Sequence, residues 1–293
     1  MRITQGMISN NMLNNLTKSY SQLNKYMDQL NTGMKITKPS DDPFIAVKGL
    51  SYRSQVVRVQ QYKSNTNEAH QWLDNSDTAL NGATQALQRL KDLAIQGAND
   101  PYNAEQRKNI REEVEQLKKE LIDLTNTKLN DKYIFNGTDT TNPPATIAGD
   151  GSVTVNTTQK PVEISVSDNI ELPVNVDGGK VFGGDFFARI DKFISALDNN
   201  DQAGIDTAIG DMDKNIDSVV NARAELGARM NRLDLIEDRL SQQEINAKDI
   251  MSKNENVDYE KAITDLLTQE TMHRAALAAG SRVIQPSLVD FLR

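Results

Sequence analysis

IGDMDKNIDSVVNARAELGARMNRLDLIEDRL, residues 209–240, is the stretch whose reading decides the fold. Its longest apolar series runs Ile209, Met212, Ile216, Val219, Leu226, Met230, Leu233 and Leu240. Arg223 and Glu237 occupy the two remaining places of a strict 3-4 alternation. That spacing keeps one narrow stripe against a partner helix, as in coiled coils and elongated bundles. A helix over about 202–252 would extend roughly 75 Å at 1.5 Å per residue, which predicts a rod.

The same period recurs upstream. Leu13, Leu16, Tyr20, Leu23, Met27 and Leu30 step by three and four, as do Leu73, Ser76, Leu80, Ala83, Leu87, Leu90 and Ala94, and Ile110, Val114, Leu117, Leu121 and Leu124. Gly33 ends the first series, where a left-handed cap is tolerated. Ser40-Asp41-Asp42-Pro43 restarts a helix, with Asp42 as N-cap and Pro43 at the first helical position. Residues 97–101 read as a turn before a third helix from Ala104.

Between Tyr133 and about Asp185 the character changes. This stretch holds Pro143, Pro144, Pro161 and Pro173, many Thr and Val, and period-two alternation at 153–155 and 162–166, the pattern of half-buried strands. Asp177-Gly178-Gly179 and Gly183-Gly184 read as turns. Helices resume near Asp185, with Phe186, Ile190, Phe193, Ile194 and Leu197 on one face, and a last helix runs from about Tyr259 to Val283. Its Ala275, Ala276, Ala278 and Ala279 suit close lateral packing. The predicted class is mainly α with a small β insert.

Composition agrees with a rod. Of 293 residues 38% are hydrophobic and only 5% aromatic, a thin supply for a compact globule but enough where every residue lies near the surface. The formal charge is −8, and the densest basic stretch, Lys118-Lys119, sits among Glu112, Glu113, Glu115 and Glu120, so no nucleic-acid partner is expected. With no cysteine, disulfides, thiolate metal sites and cysteine nucleophiles are excluded. No apolar run reaches the length of a membrane span, and the first residues lack the apolar core of a cleaved signal. Neither a membrane partner nor a cleaved signal peptide is expected.

The chemical candidates reduce to structural roles. His70 and His273 lie far apart in helical patterns, and Asp41 and Asp42 are adjacent, so their side chains diverge. Asp211-x-Asp213-x-Asn215 begins like a calcium loop, but Ile216 replaces the turn glycine and Ala222 the bidentate Glu. Gly178-Gly179-Lys180 lacks the first glycine and the hydroxyl residue of a phosphate loop. Asn136-Gly137-Thr138 and Asn156-Thr157-Thr158 match short glycosylation sequons. No catalytic, cofactor-binding or metal-ligating set emerges; the pattern suits contact, not enzymology.

The ends carry a resemblance. Leu30-Asn31-Thr32-Gly33-Met34-Lys35-Ile36, followed by Ser40-Asp41-Asp42-Pro43, resembles the N-terminal signature of the flagellin family. Leu226, Met230, Asn231, Arg232 and Leu233 fall in a stretch similar to the family's G-A-x-x-N-R-L helix, and the tail from Val257 to Arg293 resembles its C-terminal helix. The Pro43 after the acidic pair, the segment 132–138 (KYIFNGT) and the ending 287–292 (SLVDFL) are more similar to the family's hook–filament junction members than to its filament members.

The resemblance implies terminal helices, 1–43 and 252–293, paired as an axial coiled coil, with helical rod segments 44–137 and 186–251 flanking an outer β-rich insert at 138–185. It implies an assembly interface on Leu13, Leu16, Tyr20, Leu23, Met27 and Leu30 together with Leu266, Leu277, Ile284, Leu288 and Phe291. Implied partners are flagellin, a hook-side junction protein, further copies of the chain, and the flagellar export chaperone and apparatus. The implied location is the extracellular flagellum. The filament subunit itself, or an elongated tip or effector protein of an injection-type secretion system, stands as the alternative.

Overall fold

A computed structural model describes residues 5–99, 104–149, 151–156 and 160–284. Among them the helices are α1 (Gln5–Thr32), α2 (Pro43–Ala98), α3 (Ala104–Thr125), α4 (Gly178–Phe182), α5 (Phe186–Asp198), α6 (Gln202–Glu255) and α7 (Tyr259–Ile284). The strands are β1 (Lys128–Leu129), β2 (Lys132–Tyr133), β3 (Ala145–Ile147), β4 (Val153–Val155), β5 (Glu163–Ser167) and β6 (Ile170–Pro173). The chain divides into two compact units, Met1–Arg58 with Gln243–Arg293, and Val59–Gln242. These divisions fall inside α2 and α6, where an unbroken helix gives no composition signal; the expected boundaries at 43/44 and 251/252 lie elsewhere.

In the 59–242 unit the heptad stripes are the core. Leu73, Ser76, Leu80, Ala83, Leu87, Leu90 and Ala94 of α2 are all completely buried, as are Met212, Val219, Leu233 and Leu240 of α6, with Leu226 nearly so. Arg223, one of the two interruptions, donates through Nε to Asp77 Oδ1 at 2.9 Å and through Nη1 to Asn81 Oδ1 at 3.1 Å. Glu237, the other, lies 3.2 Å from Nε2 of His70. Both breaks in the apolar series are therefore polar ties between α2 and α6. α3 and α5 run antiparallel, joined by Lys118 to Asp191 at 2.5 Å and Arg111 to Asp198 at 3.4 Å.

The strands form three antiparallel pairs, β1 with β2, β3 with β4, and β5 with β6. The first is closed by Asn130 and Asp131, whose φ angles of 49° and 62° make the two-residue connection matching strand twist. The segment 138–185 does not enclose a core of its own. Ala145, Val166, Leu172, Val174 and Val176 are buried in one apolar cluster with the leucines of α2, α3 and α6. A chain of edge-to-face rings, Phe135 to Phe182 to Phe186 to Phe187, runs through it with centroid separations of 5.5, 5.4 and 5.1 Å.

Two turn readings are corrected. Gly97 lies inside α2, which runs to Ala98, and a Cβ there would make ordinary van der Waals contact with Leu197 and Ile205 at 3.4 and 3.5 Å; residues 100 and 101 of that turn lie outside the described residues. Asp177-Gly178-Gly179 starts α4: Asp177 Oδ1 accepts from the backbone N–H of Gly179 at 3.0 Å and of Lys180 at 3.4 Å. A Cβ on Gly178 would sit 2.5 Å from the backbone oxygen of Phe135, so only glycine allows that approach.

Candidate assembly interface

The N-terminal signature is a built element of the 1–58/243–293 unit. Gly33 follows α1 at φ 71°, and its N–H donates to Gln29 C=O at 2.9 Å, an αL cap. The next residues then lie antiparallel to the α6–α7 connection. Lys35 N–H donates to Glu255 C=O at 2.7 Å, and Val257 N–H donates to Gly33 C=O at 2.9 Å. The Glu255 side chain is nearly buried and accepts from Arg53 Nε at 3.1 Å and Nη2 at 2.7 Å. This hydrogen bond raises the Arg53 pKa above its usual value, so the cation is fixed beside its partner.

The acidic pair divides the work. Asp42 Oδ1 accepts from the N–H of Phe44 and Ile45 at 3.0 and 3.1 Å and so caps α2, which opens at Pro43. Asp42→Ala should cost about 0.5–2 kcal/mol of stability in this unit, read by thermal melting, with Asp42→Ser recovering most of it. Asp41 instead closes the 37–41 turn, accepting from Lys38 N–H at 2.9 Å and from Thr37 N–H and Oγ1 at 3.2 and 3.3 Å. The Lys38 amide is the main reason its pKa is lowered. A lowered carboxylate stabilises the fold above its ordinary value of 3.8 and loses that contribution as pH falls through the lower folded value. An NMR titration of the Lys38 amide should therefore show a midpoint below 3.8 that Asp41→Asn abolishes. A midpoint at or above that value would mean the turn is not held this way. Ser40, just before the pair, is exposed.

α1 and α7 pack antiparallel. Leu16, Leu23, Leu30 and Leu266 are half-buried in the seam between them. Leu13, Tyr20 and Met27 are 53%, 60% and 51% exposed, and Leu277 is also exposed. The predicted α1 series thus splits into two faces. The seam residues are Met12, Leu16, Ser19, Leu23, Tyr26 and Leu30 on α1, and Ala262, Leu266, Gln269, His273, Ala276 and Gly280 on α7. Met12, Ser19, Gln269 and Gly280 were not singled out in the sequence, and His273 was weighed only for catalysis, although their 3-4 spacing was there to be read. Ser19 Oγ accepts from Gln269 Nε2 at 3.0 Å and lies 3.1 Å from His273 Nδ1. Ile284 ends α7. Leu288 and Phe291 lie outside the described residues.

Further apolar surface is open at the start of α2, where Phe44, Val47 and Leu50 are about two-thirds exposed. They adjoin a groove of about 430 Å³ lined by Met34, Ile36, Pro39, Pro43, Val47 and Leu50. In α6, Leu226 and Leu233 are buried, Met230 is half-buried, and Asn231 and Arg232 are exposed. In the 132–138 segment Ile134 and Phe135 are buried. Asn136 is buried too, its Nδ2 donating to Asn142 C=O at 2.9 Å, so that sequon is closed to a glycan in the folded chain.

The arrangement offers apolar faces for docking, and comparison with known proteins agrees with that character. The chain matches the description "Bacterial flagellin N-terminal helical region" over residues 3–140 and "Bacterial flagellin C-terminal helical region" over residues 204–292. It is 24% identical to flagellar hook-associated protein 3 of Escherichia coli K12, over 95% of this chain and 96% of that one. It is 26% identical to the flagellin of Bacillus subtilis 168, over 95% and 94% of the two chains. Among solved structures, FlgL of Bacillus cereus superposes with a TM-score of 0.60 at 23% identity, covering 69% of this chain and 99% of that one. Flagellar hook associated protein-3 of Legionella pneumophila gives 0.63 at 15%, covering 69% and 97%. Both terminal regions match in the right order and the relatives align nearly end to end, so this chain belongs to the bacterial flagellin family.

Proposed function

We propose that this chain is a structural subunit of the bacterial flagellum that joins hook to filament, polymerising through its paired terminal helices. The observation that carries the reading is the α1–α7 pair, which turns Leu13, Tyr20 and Met27 outward on one helix and Ile263, Leu267 and Leu277 on the other, all of them exposed among the described residues. Each such leucine taken out of water contributes about 1.5–3 kcal/mol, so neighbouring subunits gain by packing there. Head-to-tail contacts between unlike faces give open helical assemblies, the form a flagellum requires. The junction position is supported by the end-to-end likeness to hook-associated protein 3 and by the 132–138 segment, whose Phe135 anchors the ring chain. Its partners on this reading are flagellin on one side, a hook-side junction protein on the other, and further copies of itself. A flagellar export chaperone and apparatus would carry it out of the cell, and its role is mechanical, not catalytic.

A second reading, filament flagellin, is favoured by the 26% identity to the Bacillus subtilis protein. Immunogold microscopy of intact flagella with antibody against residues 138–185 separates the two. Gold confined to a short zone at the distal end of the hook supports the junction. Gold along the whole filament would replace it with the flagellin reading.

A further inference from the structure

We infer that the apolar groove at the start of α2 is the docking site for the tail of a second copy of this chain, residues 288–292 (LVDFL), so that copies join head to tail. The contact extends the assembly proposed above, on which it rests, by naming the segment one subunit gives and the surface the next one offers. The groove has a volume of about 430 Å³, lies within the 1–58/243–293 unit, and is walled by Met34, Ile36, Pro43, Val47 and Leu50. Val47, Leu50 and the adjoining Phe44 are large apolar side chains left mostly in water. A partner gains most by covering surface of this kind.

The two halves of the contact belong to opposite ends of α7. Glu255 lines the groove and Met34 bridges to Asn256, so the groove lies at the Tyr259 end. The tail leaves from the other end, after Ile284. With 26 residues α7 is about 39 Å long. Residues 285–293 lie outside the described residues, but covalent geometry bounds their reach. Leu288 stands four residues past Ile284 and extends at most about 14 Å from it. A chain therefore cannot lay its own Leu288 in its own groove, whereas a copy displaced along the α1–α7 axis can. A contact between unlike surfaces at opposite ends of a unit repeats without closing and gives an open assembly.

The groove and the segment also match in chemistry. Leu288, Val289, Phe291 and Leu292 supply four apolar side chains around a single acid, Asp290. In a chain of net charge −8, residues 33–58 are locally basic, carrying Lys35, Lys38, Lys48, Arg53 and Arg58 against Asp41 and Asp42. Those two carboxylates are engaged by backbone N–H groups, Asp41 by that of Lys38 and Asp42 by those of Phe44 and Ile45. Glu255 is engaged by Arg53. Lys38 lines the groove, and the Lys48 ammonium lies 4.2 Å from the centroid of the Phe44 ring beside it. A carboxylate carried in among the apolar walls therefore meets cations.

The chain has no cysteine, so engineered thiols report the contact without background. Full-length Leu50→Cys protein, mixed with full-length Ser287→Cys protein under mild oxidation, should form the mixed disulfide at least about tenfold faster than Leu235→Cys protein does, because docking raises the effective concentration of the paired thiols. Leu235 is as exposed as Leu50 but belongs to the 59–242 unit. Each rate is divided by that thiol's own rate with oxidised glutathione. Adding Val47→Asp, at an exposed position, to the Leu50→Cys protein should bring its rate down to that of the control. Equal rates at 50 and 235 overturn the docking site, as does a rate that Val47→Asp leaves unchanged. A single chain carrying both Leu50→Cys and Ser287→Cys should link to other chains; a monomer closed on itself would show its own tail in the groove and overturn the head-to-tail contact. These rates are read on the purified protein. Immunogold labelling that finds no chain in flagella would strike the flagellar reading while the capture stands, so the two failures are told apart.

Discussion

A chain carrying Leu16→Asp and Leu23→Asp should keep its 59–242 unit folded and fail to enter any flagellum. Both leucines are half-buried against α7, at the levels of Ala276 and Gln269. Losing each burial costs about 1.5–3 kcal/mol, and placing a carboxylate there adds a desolvation penalty. α1 has 28 residues, and an isolated helix of this kind is only marginally stable in water, so the loss should unpair it. The outward faces of both terminal helices are then lost together. The measurement is a motility and electron-microscopy assay of cells carrying the variant, with thermal melting of the purified protein to check the 59–242 unit. Leu13→Asp with Tyr20→Asp is the informative contrast: these side chains already face outward, so the α1–α7 pair should survive while assembly fails. Full filament growth in both double variants would remove the terminal helices from the assembly mechanism.

The two stripes that face one another in α2 and α6 were legible because a completely buried side chain must be apolar or paired, and the 3-4 spacing repeats that demand without interruption. What could not be read was the identity of the polar partners. Arg223 and Glu237 look like defects until Asp77 and His70, more than 140 residues away in the chain, are placed beside them. The α1 series covers two faces of the helix for a different reason. The frames 13-16-20-23-27-30 and 12-16-19-23-26-30 share Leu16, Leu23 and Leu30, and the rejected positions are as apolar as the accepted ones. A helix meant to be covered on two sides carries two stripes, and a single chain covers only one. Glu255 escaped notice altogether, since nothing local marks a lone Glu at a helix end as the partner of Arg53 and the carbonyl paired to Lys35. Likewise β1 and β2, of two residues each, are too short for period two to be counted, and their pairing rests on the turn between them.

Phe186→Ala should destabilise the 59–242 unit by about 3–5 kcal/mol, the usual cost of emptying a buried aromatic site. Set against a typical total of about 5–15 kcal/mol, that is a large fraction. In a domain of about 150–250 residues it lowers Tm by on the order of 10 °C. Phe186 is almost completely buried at the start of α5, with its ring edge-on to Phe182 and Phe187. Its backbone carbonyl accepts from Asn215 Nδ2 at 3.1 Å, and Asn215 Oδ1 accepts from Arg189 at 2.8 Å, so the same residue also ties α5 to α6. Phe186→Leu, which keeps much of the volume and loses the ring contacts, should cost less than half as much. The decisive observation is the shape of the transition. Because Phe135 and Phe182 on one side and the leucines of α2 and α6 on the other lie in one apolar cluster, probes placed in residues 138–185 and on α6 should report a single shared midpoint that moves in step. Two separate midpoints, with only the 138–185 probe shifted, would mean that the strand segment folds around a core of its own, and the packing through Phe186 would then be a contact between parts instead of the centre of one.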